Sequence, residues 1–136
     1  MVLDSGAVDH VADSIDAPGY KVDPSKKTTA NFSTANGDPI ENRGQMTLNL
    51  TTTTGHDFQS NFQVCEVSRP LWSVSKICDT GCSILFASAG ATVKHEKSGK
   101  EVCRFERQRG LYVASLPLGK PTEADAISTF IRQDRR

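Results

Sequence analysis

No apolar run in this chain approaches the roughly 20 residues needed to span a bilayer, and the first residues carry no basic-then-apolar signal pattern. An intracellular, cytoplasmic and reducing setting is therefore the expectation, with no membrane partner. An excess of either charge is also missing. Sixteen basic residues balance sixteen acidic ones, so nothing steers the protein toward nucleic acid or an anionic surface. Lys26-Lys27 and the arginines of "RFERQRG" lack the interleaved aromatics that a single-strand binder needs and read as solvated strand and turn faces. The four cysteines, Cys65, Cys78, Cys82 and Cys103, form no CxxC pair, and only His95 lies near Cys103. That spacing argues against a zinc site and for small, partly buried thiols. His10, His56 and His95 are scattered, and no Ser or Cys nucleophile sits in a recognisable motif, which sets a hydrolytic triad aside. Internal repeats and low-complexity segments are absent as well.

What remains is an ordinary globular composition. The 136 residues suggest a single domain that buries roughly 65–70% of its unfolded surface. Short apolar runs separated by turn signals mark an all-β chain. Residues 12–28 are polar and broken by Pro18, Gly19 and Pro24, which predicts a loop. Asn36-Gly37 predicts a hairpin, because both residues tolerate the positive φ of tight turns. Met46, Leu48 and Leu50 alternate with polar residues, as in a half-buried strand, and a second hairpin turns at Thr54-Gly55. In "FQVCEV", Phe62, Val64 and Glu66 would share one face while Cys65 and Val67 share the other.

The stretch "SRPLWSVSKICDTG" breaks the β rhythm. Ser68 suits a helix cap and Pro70 a first turn, and Leu71, Val74 and Cys78 recur at helical spacing, as do Ser73 and Ile77. Lone Trp72 is expected to pack. "CSILF" returns to β structure, and turns at Ser98-Gly99 and Arg109-Gly110 divide the next runs into a meander. The tail, residues 119–136, is expected to carry a short helix, with Thr122 as cap, Asp125 three residues on, and Ile127, Phe130 and Ile131 on one side.

Two acidic triplets stand out, "DSG" at residues 4–6 and "DTG" at residues 79–81. Catalysis by carboxylates needs two aspartates sharing one proton, so that one acts as base toward water and the other as acid. Each must sit on a rigid loop at the end of a buried strand. Asp4 fits, with Val2 and Leu3 before it and the small residues Ser5, Gly6 and Ala7 after it; an ordinary Asp-Ser-Gly turn is the competing reading. Asp79 fits worse. The residues before it have helical spacing, and a Gly just past a helix is a common stop. One chain using both triplets would need two lobes, and the interval between them is too short.

The serial order of "VLDSGAVDHV", "TANGDPIENRGQMTLNL", "FQVCEVSRPLWSVSKICDTGCSILF" and "GLYVASL" resembles the retropepsin-like aspartic protease domain of retrotransposon Gag-Pol polyproteins, closest to the copia-type pattern. The resemblance covers roughly residues 2–118, the expected protease domain, and leaves residues 119–136 outside. It implies an acid-protease-like (retropepsin) closed barrel with one short internal helix at about residues 71–78, to which the reading of the tail adds a C-terminal helix outside the resemblance. It implies Asp4 as the catalytic aspartate, Ser5 as a hydroxyl bonding across paired loops, and Gly6 as the tight backbone. Ala7 and Asp9 would lie beside the substrate backbone, and Ala35, Asn36, Gly37 and Asp38 would form the flap. With one such Asp per chain, it implies a homodimer with the site on its two-fold axis, a peptide or polyprotein substrate bound extended, flap closure over it, and no metal or organic cofactor. The alternative is a catalytically inactive module of the same fold that binds peptides or itself.

Overall fold

The computed structural model describes residues 1–24, 32–33 and 36–121. The flap residue Ala35 and the tail helix expected after Thr122 lie outside the described residues. In chain order the elements are β1 (Val2–Asp4), β2 (Val11–Ala12), β3 (Phe32–Ser33), β4 (Pro39–Ile40), β5 (Gln45–Thr51) and β6 (Asp57–Val64). Then come β7 (Leu71–Ser73), α1 (Val74–Asp79), β8 (Cys82–Phe86), β9 (Gly90–His95), β10 (Glu101–Gln108) and β11 (Leu111–Val113). The described chain is thus all-β apart from α1 and one 3₁₀ turn at Ser14–Asp16, capped by the Asp13 side chain. No helix among the described residues is long and apolar enough to cross a membrane.

Nine strands form one sheet in the order β5-β6-β2-β7-β1-β11-β10-β9-β8, while β3 and β4 form a separate hairpin. The sheet curls into a half-barrel. The closed barrel expected from the sequence is not formed, because β5 and β8 are the two ends of the sheet and do not pair. The outer edge of β5 is taken instead by loop backbone. Asp23 bridges Gln45, Leu118 bridges Leu50, and the Gly119 N–H donates to the Asn49 carbonyl at 2.7 Å.

Alternation explains the core. Met46, Leu48 and Leu50 on β5, Ala91 and Val93 on β9, and Cys103 and Phe105 on β10 all face inward and are buried. Trp72 joins them, its ring 5.5 Å from Phe58 and 5.8 Å from Phe105. The end of β6 departs from the expected two-faced pattern: Phe62, Gln63, Val64 and Cys65 are all buried. There β6 is paired along both edges, by β5 and by β2, and its second face is occupied as well, Gln63 accepting a hydrogen bond from Asn42. The hairpins at Thr54-Gly55 and Arg109-Gly110 turn where expected, with Gly55 at φ +87° and Arg109 and Gly110 at +52° and +80°. At Gly90 the requirement is space. A Cβ there would collide with the Phe105 carbonyl across the β9–β10 pair.

The internal helix is shorter and later than its sequence spacing indicates. Leu71–Ser73 is a strand parallel to β1, and the helix occupies only Val74–Asp79. Neither Ser68 nor Pro70 starts it. Ser73 is the N-cap, its hydroxyl accepting from the Lys76 N–H at 3.3 Å. Ile77 is its buried residue, whereas Cys78 is exposed.

Candidate functional site

β1 runs through the middle of the sheet between β7 and β11. Val2 and Leu3 are buried in it, and the chain leaves the sheet at Asp4, which is half-buried. The carboxylate thus stands where an apolar strand ends and a loop begins. Asp4 Oδ1 accepts the Gly6 N–H at 2.8 Å, which folds the loop back on itself. A side chain at position 6 would place its Cβ 3.3 Å from that same oxygen, so the glycine answers to close approach. Ser5 and Val8 are exposed, Val8 at 70%. Ala7 is half-buried, and Asp9 is buried within 3.3 Å of Lys76 Nζ.

These residues line one side of a cavity of about 320 Å³ formed by Asp4, Gly6, Ala7, Val8, Asp9, Val11, Ile40, Cys65, Val67 and Leu71. Its walls are mostly aliphatic, with two carboxylates at one side. Ile40 comes from the separate β3–β4 hairpin, so the base of this hairpin forms part of the cavity wall. Phe32 pairs with Ile40 and Ser33 with Pro39, and the described residues Asn36, Gly37 and Asp38 lie in the connection between the two strands. Within that loop Asn36, Gly37 and Asp38 are exposed, and Gly37 takes φ +84° as a tight turn requires. The expected flap residues Asn36, Gly37 and Asp38 thus lie in the hairpin connection and do not line the cavity, whereas Ile40, which was not among them, does. The base is itself anchored. Asn42 Nδ2 donates to Gln63 Oε1 at 2.9 Å, and Asn42 Oδ1 accepts the Gly44 N–H at 3.0 Å.

A second hollow, about 380 Å³, lies between β5, β6 and residues 119–120. Its polar side chains are engaged with one another. Gln59 Nε2 donates to Asn49 Oδ1 at 2.9 Å, Thr51 Oγ1 donates to Asp57 Oδ1 at 2.8 Å, and Asn49 Nδ2 donates to the Lys120 carbonyl at 3.0 Å. A wall that consumes its own donors and acceptors is a poor place to bind or activate a ligand, so the Asp4 cavity is the candidate site.

The second acidic triplet does not join it. Asp79 is the last residue of α1 and is exposed; Thr80 Oγ1 donates to the Ile77 carbonyl at 2.6 Å, and Gly81 takes φ +87°. That is a helix stop.

Three residues not singled out from the sequence as part of the site hold its loop. Ser73 lies directly beside Asp4 in the β1–β7 register. Its hydroxyl donates to the Ala7 carbonyl at 2.6 Å, and its N–H donates to His10 Nδ1 at 2.9 Å. Lys76 then pairs with Asp9. The His10 ring packs 5.3 Å from Phe62 and 5.9 Å from Trp72. Its pKa falls from 6.5 to about 4, chiefly through burial, with Asp9 opposing the shift and the Lys76 ammonium adding to it. Burial also raises the Cys65 thiol to about 11, which makes it a wall of the cavity and a poor nucleophile. The sequence held one signal for this cluster, a Ser immediately before a short helix; the pairing of β7 with β1 is what brings it to Asp4.

A scan against family models, a search of curated proteins and a search of solved structures each find no match to the chain.

Proposed function

We propose that this chain is an aspartic endopeptidase of the retropepsin-like, polyprotein-processing kind, working as a homodimer. The observation that carries the reading is the position of Asp4 at the end of a buried central strand, on a loop that lines a mostly aliphatic cavity to which the β3–β4 hairpin contributes Ile40. In the proposed dimer two copies of Asp4 meet on the symmetry axis and share a proton, since two like charges in contact cannot both ionise freely. The charged carboxylate takes a proton from a water held between them as that water attacks the scissile carbonyl. The protonated partner gives its proton to the carbonyl oxygen, and reversal of the two roles releases the amine. Aliphatic side chains of an extended peptide would occupy the space between Val8, Val11, Ile40 and Leu71. The resemblance stated above supports the same reading.

The test combines oligomeric state with cleavage. A peptide library incubated at acidic pH should be cut, a pepstatin-type inhibitor should suppress cutting, and sedimentation should give a dimer. Asp4→Asn should abolish turnover with the fold intact, while Asp79→Asn keeps most of it. A strictly monomeric protein, or activity lost with Asp79 rather than Asp4, overturns the assignment. A dimer that binds peptides without cutting them would leave the inactive module as the correct reading.

A further inference from the structure

We propose that His10 is a positioning residue for the Asp4 loop, acting as a neutral hydrogen-bond acceptor that locks the loop to the junction of β7 and α1. The inference rests on the protease reading for its catalytic consequence, though not for the lock itself.

The geometry is a three-point tether on one residue. The loop leaves the sheet at Asp4, whose β-ladder partner is Ser73. Midway, the Ala7 carbonyl accepts the Ser73 hydroxyl at 2.6 Å. At its end, His10 Nδ1 accepts the Ser73 N–H at 2.9 Å. Residues 4, 7 and 10 are thus all referred to the same point, which is also the cap of α1. The return strand is fixed independently, because the His10 carbonyl accepts the Gln63 N–H at 2.8 Å. With both ends held, the carboxylate's direction is set by the tether and not by the loop's own preferences. Held groups react faster because orientation is supplied in advance.

The donor is a backbone amide, which has no alternative role. His10 must therefore present an unprotonated Nδ1 and carry its proton on Nε2. Protonation of Nδ1 would set an N–H against an N–H and break the lock. The charged groups that bear on the ring are Asp9 from its own loop and Lys76 from α1. β6 and β7 contribute only the uncharged Phe62, Trp72 and Ser73 around it. Asp9 and Lys76 pair with each other and act on the ring in opposite directions, and burial, the largest influence, keeps it neutral.

Two substitutions separate this role from simple packing. His10→Asn places an amide oxygen close to the Nδ1 position and cannot titrate; His10→Ala removes the acceptor. Nitrogen NMR of the full chain should find the His10 ring as the Nε2–H tautomer at pH 6. Ser73 amide exchange should be slow in wild type and in His10→Asn, and at least about 10-fold faster in His10→Ala. If the chain cleaves peptides, His10→Ala should lower kcat on the order of 10-fold or more with KM within about twofold. His10→Asn should restore kcat and move the acidic limb of the pH–rate profile to lower pH. Equal Ser73 protection in all three proteins, or an Nδ1–H tautomer, would overturn the lock. Should the wild type cut nothing, the protease reading fails while the exchange and tautomer data still judge the lock. If it cuts and His10→Asn behaves like His10→Ala, the positioning role falls and the protease reading survives.

Discussion

Acidification should destabilise the fold through His10 before it acts through the carboxylates, and the size of the effect follows from the ring's surroundings. In the unfolded chain the imidazole binds a proton near its ordinary pKa of 6.5; in the fold it does so only near 4. Between those values the unfolded state holds more protons, so lowering the pH favours unfolding. The stabilisation is complete above pH 6.5, drains as the pH falls, and is gone below about 4. A difference of about 2.5 units corresponds to roughly 3.4 kcal/mol at 1.36 kcal/mol per unit. The ring is only partly shielded from solvent, which reduces this to about 2 kcal/mol. Urea denaturation of wild type and His10→Asn at pH 7.5 and pH 4, at constant ionic strength, isolates the contribution, since the other groups titrate in both proteins. Wild-type stability should fall by about 2 kcal/mol more than that of the variant over this interval. Parallel curves for the two proteins would refute the neutral, buried acceptor.

Two further changes probe the frame around the site. Gly90→Ala drives a Cβ into the Phe105 carbonyl, so the β9–β10 pair must spread, and unfolding midpoints should register a loss of about 2–3 kcal/mol; an unchanged midpoint would mean that the pair is looser than described. Trp72→Phe sets two effects against each other, because Trp72 Nε1 is buried without a hydrogen-bond partner among the described residues. Removing that donor relieves about 1–3 kcal/mol and losing part of the ring costs a similar amount, so calorimetry should find stability within about 1 kcal/mol of wild type.

Much of the half-barrel could be read from local pattern. Met46, Leu48 and Leu50 alternate because one face of β5 is covered and the other wet, and the turns at Thr54-Gly55 and Arg109-Gly110 carry residues that accept positive φ. The pattern failed where a strand is covered on both sides. Gln63 and Cys65 share the face opposite Phe62 and Val64, yet they too are buried, Gln63 against Asn42 and Cys65 in the wall of the Asp4 cavity. Closure of the barrel was equally out of reach, since it depends on whether β5 and β8 meet. The helix was misplaced for a related reason. Six residues make less than two turns, too few for a period to declare itself, and Leu71 and Ser73 fit a helical spacing while belonging to a strand whose partner is β1.

The two acidic triplets show why a short motif needs its support to acquire meaning. Both have Asp, a hydroxyl residue and Gly, and both glycines permit a sharp change of direction. Before Asp4 the backbone is hydrogen-bonded on both sides within the sheet, to β7 and to β11, so the carboxylate projects from a rigid base. Before Asp79 the backbone lies within a short helix, and the side chain emerges at its exposed end, where no hydrogen bond or ion pair holds it among the described residues. The pairing of β1 with β7 does more than stiffen that base. It sets Ser73 beside Asp4, and Ser73 caps the very helix that ends in the second triplet. Residues 73–81 therefore serve the first acidic loop as its mounting: Ser73 and Lys76 hold it, and the Asp-Thr-Gly stop lets the chain turn away into β8.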